Sequence, residues 1–334
     1  MDLTTRYMGL ELASPLIAGA SPLTHDVDVA RRLEDAGASA LVMHSLFEEQ
    51  IEREELSMYH HTAGLENMHA EATSYLPAPE RFDLAPDTYV EQIASLKQAV
   101  DIPVLGSLNG VTAGGWTRYA KLMAEAGADA IELNLYYLAM DPTLDSEVVE
   151  QRYLDVLRAV KDTVSVPVAV KLSPFFSAPV HMAKRLSDAG ADALVLFNRF
   201  YQPDIDIDQL DVVPALSLSD SSVLLMRLRW LAAIFGNVSC SLAATGGVHT
   251  GRDALKALMA GANAVQMTSA VLRDGPMRVG EIEAEISQWM EDHEYESVQQ
   301  MIGSMSLRRC PDPARFERAN YMKVLQSWKY GTLT

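Results

Sequence analysis

The chain has 334 residues, 49% of them hydrophobic, which suits one large domain or two small ones with a sizeable core. Its formal net charge of −18 argues against a polyanion such as nucleic acid as partner, while a local anion site stays compatible with it. Two cysteines, Cys240 and Cys310, exclude a disulfide framework and a cysteine metal cluster, so no metal is expected. No apolar run approaches the ~20 residues that span a bilayer, and the first residues hold no apolar signal region. The expectation is a cytoplasmic protein with reduced thiols and no membrane partner.

In chain order, 15–20 is a short apolar run ending in small residues, followed by Ser21 and a helical pattern over 27–35. Gly37 ends that helix and 40–44 is the next apolar run, closing on His44. A polar segment over 48–86, rich in charge, His, Pro and Tyr, has no sustained period. A loop that long in a compact chain is usually functional or disordered. Its aromatic and His content favours a cover over an active site. A regular rhythm follows. Helices over 89–99, 116–126, 146–163 and 179–189 lead to apolar runs over 103–107, 130–135, 167–172 and 193–198. An irregular insert is expected over 204–217, then a helix over 222–235, a strand over 238–244, a helix from Thr250 to Gly261 and a strand over 264–267. Beyond Gly280 the chain reads as helical and polar, with a loop at 308–313 and a last helix over 315–328.

The phrases AGASALVMH, AGADAIELN, AGADALVLFN and AGANAVQMT recur. Each is a helix stop, a turn and a strand apolar on both faces, as in parallel sheets. Eight such strand candidates alternating with helices predict a (β/α)8 TIM barrel, parallel and eight-stranded, over about 10–286. It carries a long loop after its second strand and a C-terminal helical extension over about 287–334. A doubly wound open sheet is the alternative, but would more often use fewer strands and one Gly-rich fingerprint. No linker divides the chain, so 1–334 reads as a single domain.

Barrel strands aim alternate side chains inward, and chemistry sits at their C-terminal ends. His44, Ser107, Asn134, Lys171 and Asn198 form a polar ring there, with Asn109 just beyond. An inward Lys171 needs an anionic partner. Glu132, on the same face as Asn134, offers a structural ion pair. A cation facing negative charge on a cofactor or substrate is a second reading, and a Schiff-base lysine a third. Asn134 and Asn198 read either as donors and acceptors for a planar heterocycle or as caps of rim loops. The turns after the last two strands, Thr245-Gly246-Gly247 and Thr268-Ser269-Ala270, fit a phosphate site at helix N-termini or two ordinary tight turns.

The stretches ELNL at 132–135, VKLSP at 170–174, ATGGV at 244–248 and GRDALKALMAGANAVQMTSAVLRDGP at 251–276 together resemble the dihydroorotate dehydrogenase family, most closely its soluble class 1 branch. The resemblance covers roughly 10–286. It implies FMN at the barrel mouth, lined by Ala18, Gly19, Ala20 and Ser21, with His44 where the family commonly has a lysine, and with Ser107 beside them. Asn134, Lys171 and Asn198 match residues that contact flavin or substrate, Lys171 at the flavin N1/O2 edge. Gly246, Gly247, Thr268 and Ser269 match the phosphate site. The implied activity is oxidation of dihydroorotate to orotate in pyrimidine biosynthesis, by hydride transfer from a CH–CH bond.

Three segments depart from the family pattern. Where the family has a Ser-Cys-Pro-Asn loop whose cysteine takes the proton, this chain reads Tyr136-Tyr137-Leu138-Ala139. Tyr137 stands at the base position, although a free tyrosine pKa of about 10 makes a poor base at neutral pH. His61, in His61-Thr62-Ala63-Gly64-Leu65, replaces a pyrimidine-binding asparagine and is the better base by its ordinary pKa. His60 and His44 are further candidates. A glycine-rich turn becomes Leu216-Ser217-Leu218-Ser219-Asp220. The flavin half therefore reads as kept and the pyrimidine half as rebuilt. Two other readings stand beside this one. One keeps the flavin with another substrate or a partner-dependent redox role. The other is a non-redox aldolase or isomerase that binds a phosphate ligand and uses Lys171. The resemblance also implies an electron-acceptor partner and a homodimer.

Overall fold

The computed structural model describes residues 1–48, 86–110, 113–199, 202–215, 217–316 and 318–327. An antiparallel hairpin comes first, β1 (Thr5–Tyr7) and β2 (Leu10–Leu12), turning through Met8 and Gly9 at φ of 55° and 82°. Then β3 (Leu16–Ala18) and α1 (Val27–Asp35) open the βα series, followed by β4 (Ala40–Phe47), α2 (Pro86–Ala99), β5 (Val104–Asn109) and α3 (Ala113–Glu125). The middle units are β6 (Ala130–Asn134), α4 (Ser146–Lys161), β7 (Val168–Leu172), α5 (Pro179–Asp188) and β8 (Ala193–Leu196). After a ribbon of β9 (Gln202–Asp206) and β10 (Asp211–Ala215) come α6 (Leu224–Ile234), β11 (Ser241–Thr245), α7 (Gly251–Ala260), β12 (Ala264–Met267), α8 (Ser269–Asp274), α9 (Arg278–Asp292) and α10 (Ala319–Ser327).

Eight parallel strands close a barrel in the order β3, β4, β5, β6, β7, β8, β11, β12, with β12 pairing back to β3. The (β/α)8 expectation holds. Two cores explain why the strands are apolar on both faces. Outward residues such as Leu16, Leu41, Met43, Ile131, Val170 and Leu194 pack under the helices. Inward residues are smaller, with Ala40, Ala130, Ala169, Ala193, Ala243 and Ala264 among them. The space they leave is filled by Tyr7, Met8 and Leu12 of the N-terminal hairpin, which plugs that end of the barrel.

The recurring sequence phrase has a structural meaning beyond the helix stop. Gly127 and Gly190 end their helices at φ of 98° each, a conformation only glycine adopts at little cost. Two residues later stands a polar side chain that ties its strand to the preceding one. Asp129 accepts from Val104 N at 2.7 Å and from Lys97 Nζ at 2.7 Å. Asp192 repeats this with Val168 N at 2.7 Å and Lys161 Nζ at 2.6 Å. Asn263 accepts from Leu242 N at 2.9 Å, and Ser39 donates to Ser14 O and Leu16 O. The variable fourth letter of AGAS, AGAD and AGAN is thus a polar tie at each strand entrance.

Two expectations change. The insert expected to be irregular is the β9–β10 ribbon, paired from Asp211↔Asp206 to Ala215↔Gln202. The alternation Asp204-Ile205-Asp206-Ile207 is a period-2 signal for a strand, even though both faces stay exposed. The expected last helix over 315–328 divides into a 3₁₀ turn (Pro313–Phe316) and the shorter α10.

Replacing Asp129 by Ala leaves the Val104 N–H and the Lys97 ammonium without this acceptor. The expected loss is about 1–3 kcal/mol, read as a lower urea midpoint at unchanged slope; no shift would show that water replaces the tie.

Candidate active site

The polar layers sit at the C-terminal ends of the barrel strands. Lys171 Nζ lies 3.1 Å from Glu132 Oε1, and Gln266 Nε2 donates to Glu132 Oε2 at 2.5 Å. Glu132 and Gln266 are fully buried and Lys171 is 8% exposed. A buried carboxylate needs this compensation, because an unpaired charge away from water is costly. The structural pairing of Lys171 is therefore real, and the same ammonium also lines the cavity at the mouth. The two readings of Lys171 coexist in one side chain.

One layer further out, Asn198 Nδ2 donates to Asn134 Oδ1 at 2.5 Å. Asn134 Nδ2 donates to Ser45 Oγ at 3.3 Å, and Ser45 Oγ lies 2.8 Å from Ser107 Oγ. This chain of four side chains crosses the mouth from β8 to β5. Ser45 was not foreseen. Between the pairs Val42↔Leu105 and Ser45↔Ser107, β4 spends one more residue than β5. Such a bulge shifts the inward phase of the strand by one residue. Ser45 therefore joins the ring and His44 does not. The His44 ring packs edge-on against His25 and Tyr89, at centroid distances of 5.4 and 5.1 Å, and its Nδ1 has no partner among the described residues. Burial, then the neighbouring His25, holds the His44 pKa down to about 4.

A cavity of about 420 Å³ opens beside this ring, within the range of small-ligand sites. Of the residues singled out from sequence, Ala20, Lys171, Asn198, Gly246, Thr268 and Ser269 line it. Gly19 lies against the β12 end, where a Cβ would stand 2.5 Å from Thr268 Oγ1. Ala18 instead packs outward beneath the helices, and Ser21 caps the turn at Pro22–His25. Gly246 and Gly247 take φ of 83° and 86°, closed to side-chain-bearing residues at low cost. The loop before α6 closes over this turn. Ser219 Oγ donates to Ser269 Oγ at 2.9 Å and accepts from Gly247 N at 3.4 Å, and it lies 3.4 Å from His249 Nε2. His249 Nδ1 in turn meets Arg273 Nη2 at 3.2 Å, and burial lowers the His249 pKa, with Arg273 adding to the effect. Arg227 reaches the cavity from α6 and Arg199 from just beyond β8. Neither Ser219, His249 nor Arg227 was legible as a site residue, because all three lie on elements whose facing side depends on tertiary packing.

A family model described as dihydroorotate dehydrogenase matches residues 64–290. The chain belongs to the dihydroorotate dehydrogenase family. It is similar to the protein named dihydroorotate dehydrogenase B (NAD(+)), catalytic subunit, of Geobacter sp. (strain M21), 35% identical over 234 residues, covering 66% of this chain and 74% of the relative. The protein of the same name from Thermoplasma volcanium is 28% identical over 319 residues, covering 90% of this chain and 98% of the relative. Membership of the dihydroorotate dehydrogenase family makes the chain a dehydrogenase of the CH–CH class. Among the described residues, no helix is long and apolar enough to cross a membrane and no cluster could hold a metal ion.

The half of the site expected to hold the pyrimidine is described less fully. Tyr137 follows β6 on an irregular stretch, its ring under the Arg152 guanidinium of α4 at 4.7 Å. It is not among the residues lining the cavity. His60, His61 and most of the 48–86 segment lie outside the described residues. Cys310, expected on a polar tail, is buried, and Cys240 lies just before β11; both are free thiols.

The depressed His44 pKa sets a pH dependence. Below its ordinary pKa of 6.5, His44 takes a proton in the unfolded chain and refuses it in the fold. The His44 contribution to stability is therefore lost as pH falls from about 6.5 to about 4, up to ~3 kcal/mol. Urea midpoints at pH 7 and 4.5 should differ less in His44→Gln than in the parent; equal differences would contradict the assignment.

Proposed function

We propose that this chain is the FMN-carrying catalytic subunit of a dehydrogenase that oxidises dihydroorotate to orotate. The observation that carries the reading is the shared cavity. One wall presents the Lys171 ammonium beside Asn198, itself bonded to Asn134, and another presents the Gly246 turn with Thr268 and Ser269. A planar heterocycle with a phosphate tail asks for those two kinds of wall at once. The Gly246 turn, the bonded amides of Asn198 and Asn134 and the Lys171 cation fit FMN.

Bound flavin would supply the hydride acceptor. The chain's own residues do the rest. Lys171 presents a positive charge where negative charge builds up, and Glu132 and Gln266 fix its position from below. The Asn198–Asn134–Ser45 chain orients amide groups across the mouth. Two side chains are candidates for removing the substrate proton: Tyr137 by its place after β6 and His61 by its ordinary titration range. Both relatives described above carry the words "catalytic subunit" and "NAD(+)" in their names. On that basis the electrons pass to a second subunit that serves NAD(+).

A second reading keeps the flavin and changes the substrate. It is favoured by Tyr137 lying under Arg152 where the family has a cysteine base, and by Ala139 in place of an asparagine.

The purified full chain, reconstituted with FMN and mixed anaerobically with dihydroorotate, separates these readings by its visible spectrum. Bleaching of the oxidised flavin band supports dihydroorotate oxidation. Replacing the true base among Tyr137→Phe and His61→Ala should slow the bleaching by about 10²- to 10⁴-fold. A flavin that binds yet stays oxidised supports the second reading. Absence of bound flavin after reconstitution overturns both and leaves a phosphate-binding barrel.

A further inference from the structure

Among the described residues, three cations and no carboxylate line the mouth cavity, in a chain whose net charge is −18. Lys171 is compensated by Glu132. Arg227 is not. It is 5% exposed, and among the described residues its guanidinium donates only to backbone carbonyls: Nε to Thr245 O, Nη1 to Val223 O at 2.8 Å and Nη2 to Phe197 O at 3.1 Å. Among the described residues it forms no ion pair. Neutral carbonyls position a cation without cancelling its charge, and a guanidinium has five N–H donors, of which three are spent here. Burial and the nearby Arg199 bring its pKa down to about 10, so it remains charged at neutral pH.

Position gives the charge a purpose. A Cβ on Gly246 would stand 2.9 Å from Arg227 Nη2, so the bare backbone of the turn lies directly over the guanidinium. Two of the carbonyl bonds tie the head group to the ends of β8 and β11, the third ties it to Val223 at the start of its own helix, and together they remove its freedom before any ligand arrives. Arg199 lines the same cavity from the exposed rim. A preset guanidinium with unspent donors, a second guanidinium nearby and no carboxylate among the described lining residues suit a compact dianion.

We propose that Arg227, assisted by Arg199, binds a phosphate dianion held against the Gly246–Gly247 turn. Under the flavin reading, that dianion is the phosphate of FMN, gripped here by side-chain charge in addition to backbone N–H groups. Inorganic phosphate and other phosphomonoesters carry the same chemistry.

The test uses the full chain freed of flavin, with Arg227→Gln, Arg227→Lys and Arg199→Gln. Flavin fluorescence quenching gives the affinities for FMN and for riboflavin, which lacks the phosphate. The expected result is a loss of about 10- to 100-fold in FMN affinity for Arg227→Gln with riboflavin binding unchanged, partial recovery in Arg227→Lys and a several-fold loss in Arg199→Gln. Equal loss for both flavins, or no loss, would overturn the proposal. If Arg227→Gln does not fold, Arg199→Gln decides, since an unchanged preference for FMN over riboflavin there overturns it. If the parent binds neither flavin, the flavin reading fails separately. Thermal stabilisation by inorganic phosphate, present in the parent and absent in Arg227→Gln, would then uphold the site, and equal stabilisation would end it.

Discussion

The contact between Lys171, Glu132 and Gln266 is the constraint on which the rest of the mouth depends. A carboxylate at zero exposure inside a barrel is tolerable only with a cation and a donor on it, and both arrive from other strands, β7 and β12. The pairing draws β6, β7 and β12 into one arrangement across the interior. It also fixes an ammonium that the flexible stem of a lysine would otherwise leave wandering. Above this layer the two asparagines and two serines can form a single chain because their strands are already in register. Below it the barrel returns to alanine and the aromatic plug of the hairpin. Charge, amide and apolar layers thus succeed each other along the barrel axis.

Much of this was legible in the residues. The AGAxA phrases announced helix stops and parallel strands, and the strand-end positions of Lys171, Asn134 and Asn198 followed from inward alternation. Glu132 was legible as the partner of Lys171 because two residues along a strand face the same way. His44 shows where alternation stops being a guide. One extra residue in β4 hands the inward place to Ser45, and nothing in ALVMHSLF marks where the bulge falls. Arg227 and His249 were out of reach for another reason. On a helix and a loop outside the barrel, the direction of a side chain depends on how those elements dock, which local period does not encode. The ribbon at 202–215 reads as irregular because its alternation is short and neither of its faces is buried in a core.

Electrostatics set this mouth apart from the surface around it. The chain as a whole repels anions, yet the cavity concentrates guanidinium and ammonium groups. Among the described residues, their acidic partners are either deep in the barrel, as with Glu132, or not part of the lining. Field lines inside a low-dielectric recess reach a ligand with little screening, whereas the distant surface carboxylates are damped by salt within about 8–10 Å. A negatively charged ligand can therefore be held locally by a protein that is acidic overall.

The hairpin that fills the N-terminal end of the barrel has a consequence for traffic. Tyr7, Met8 and Leu12 close that end with buried side chains, and burial drives the Tyr7 hydroxyl pKa well above its ordinary value. Among the described residues, the barrel is thus a vessel closed at its N-terminal end and open at its mouth. Whatever reacts at the level of Lys171 enters and leaves through the same mouth, so a product must vacate the space before a second small molecule can use it. An electron acceptor too large to share that opening would have to collect its electrons from outside, through the wall or across the rim.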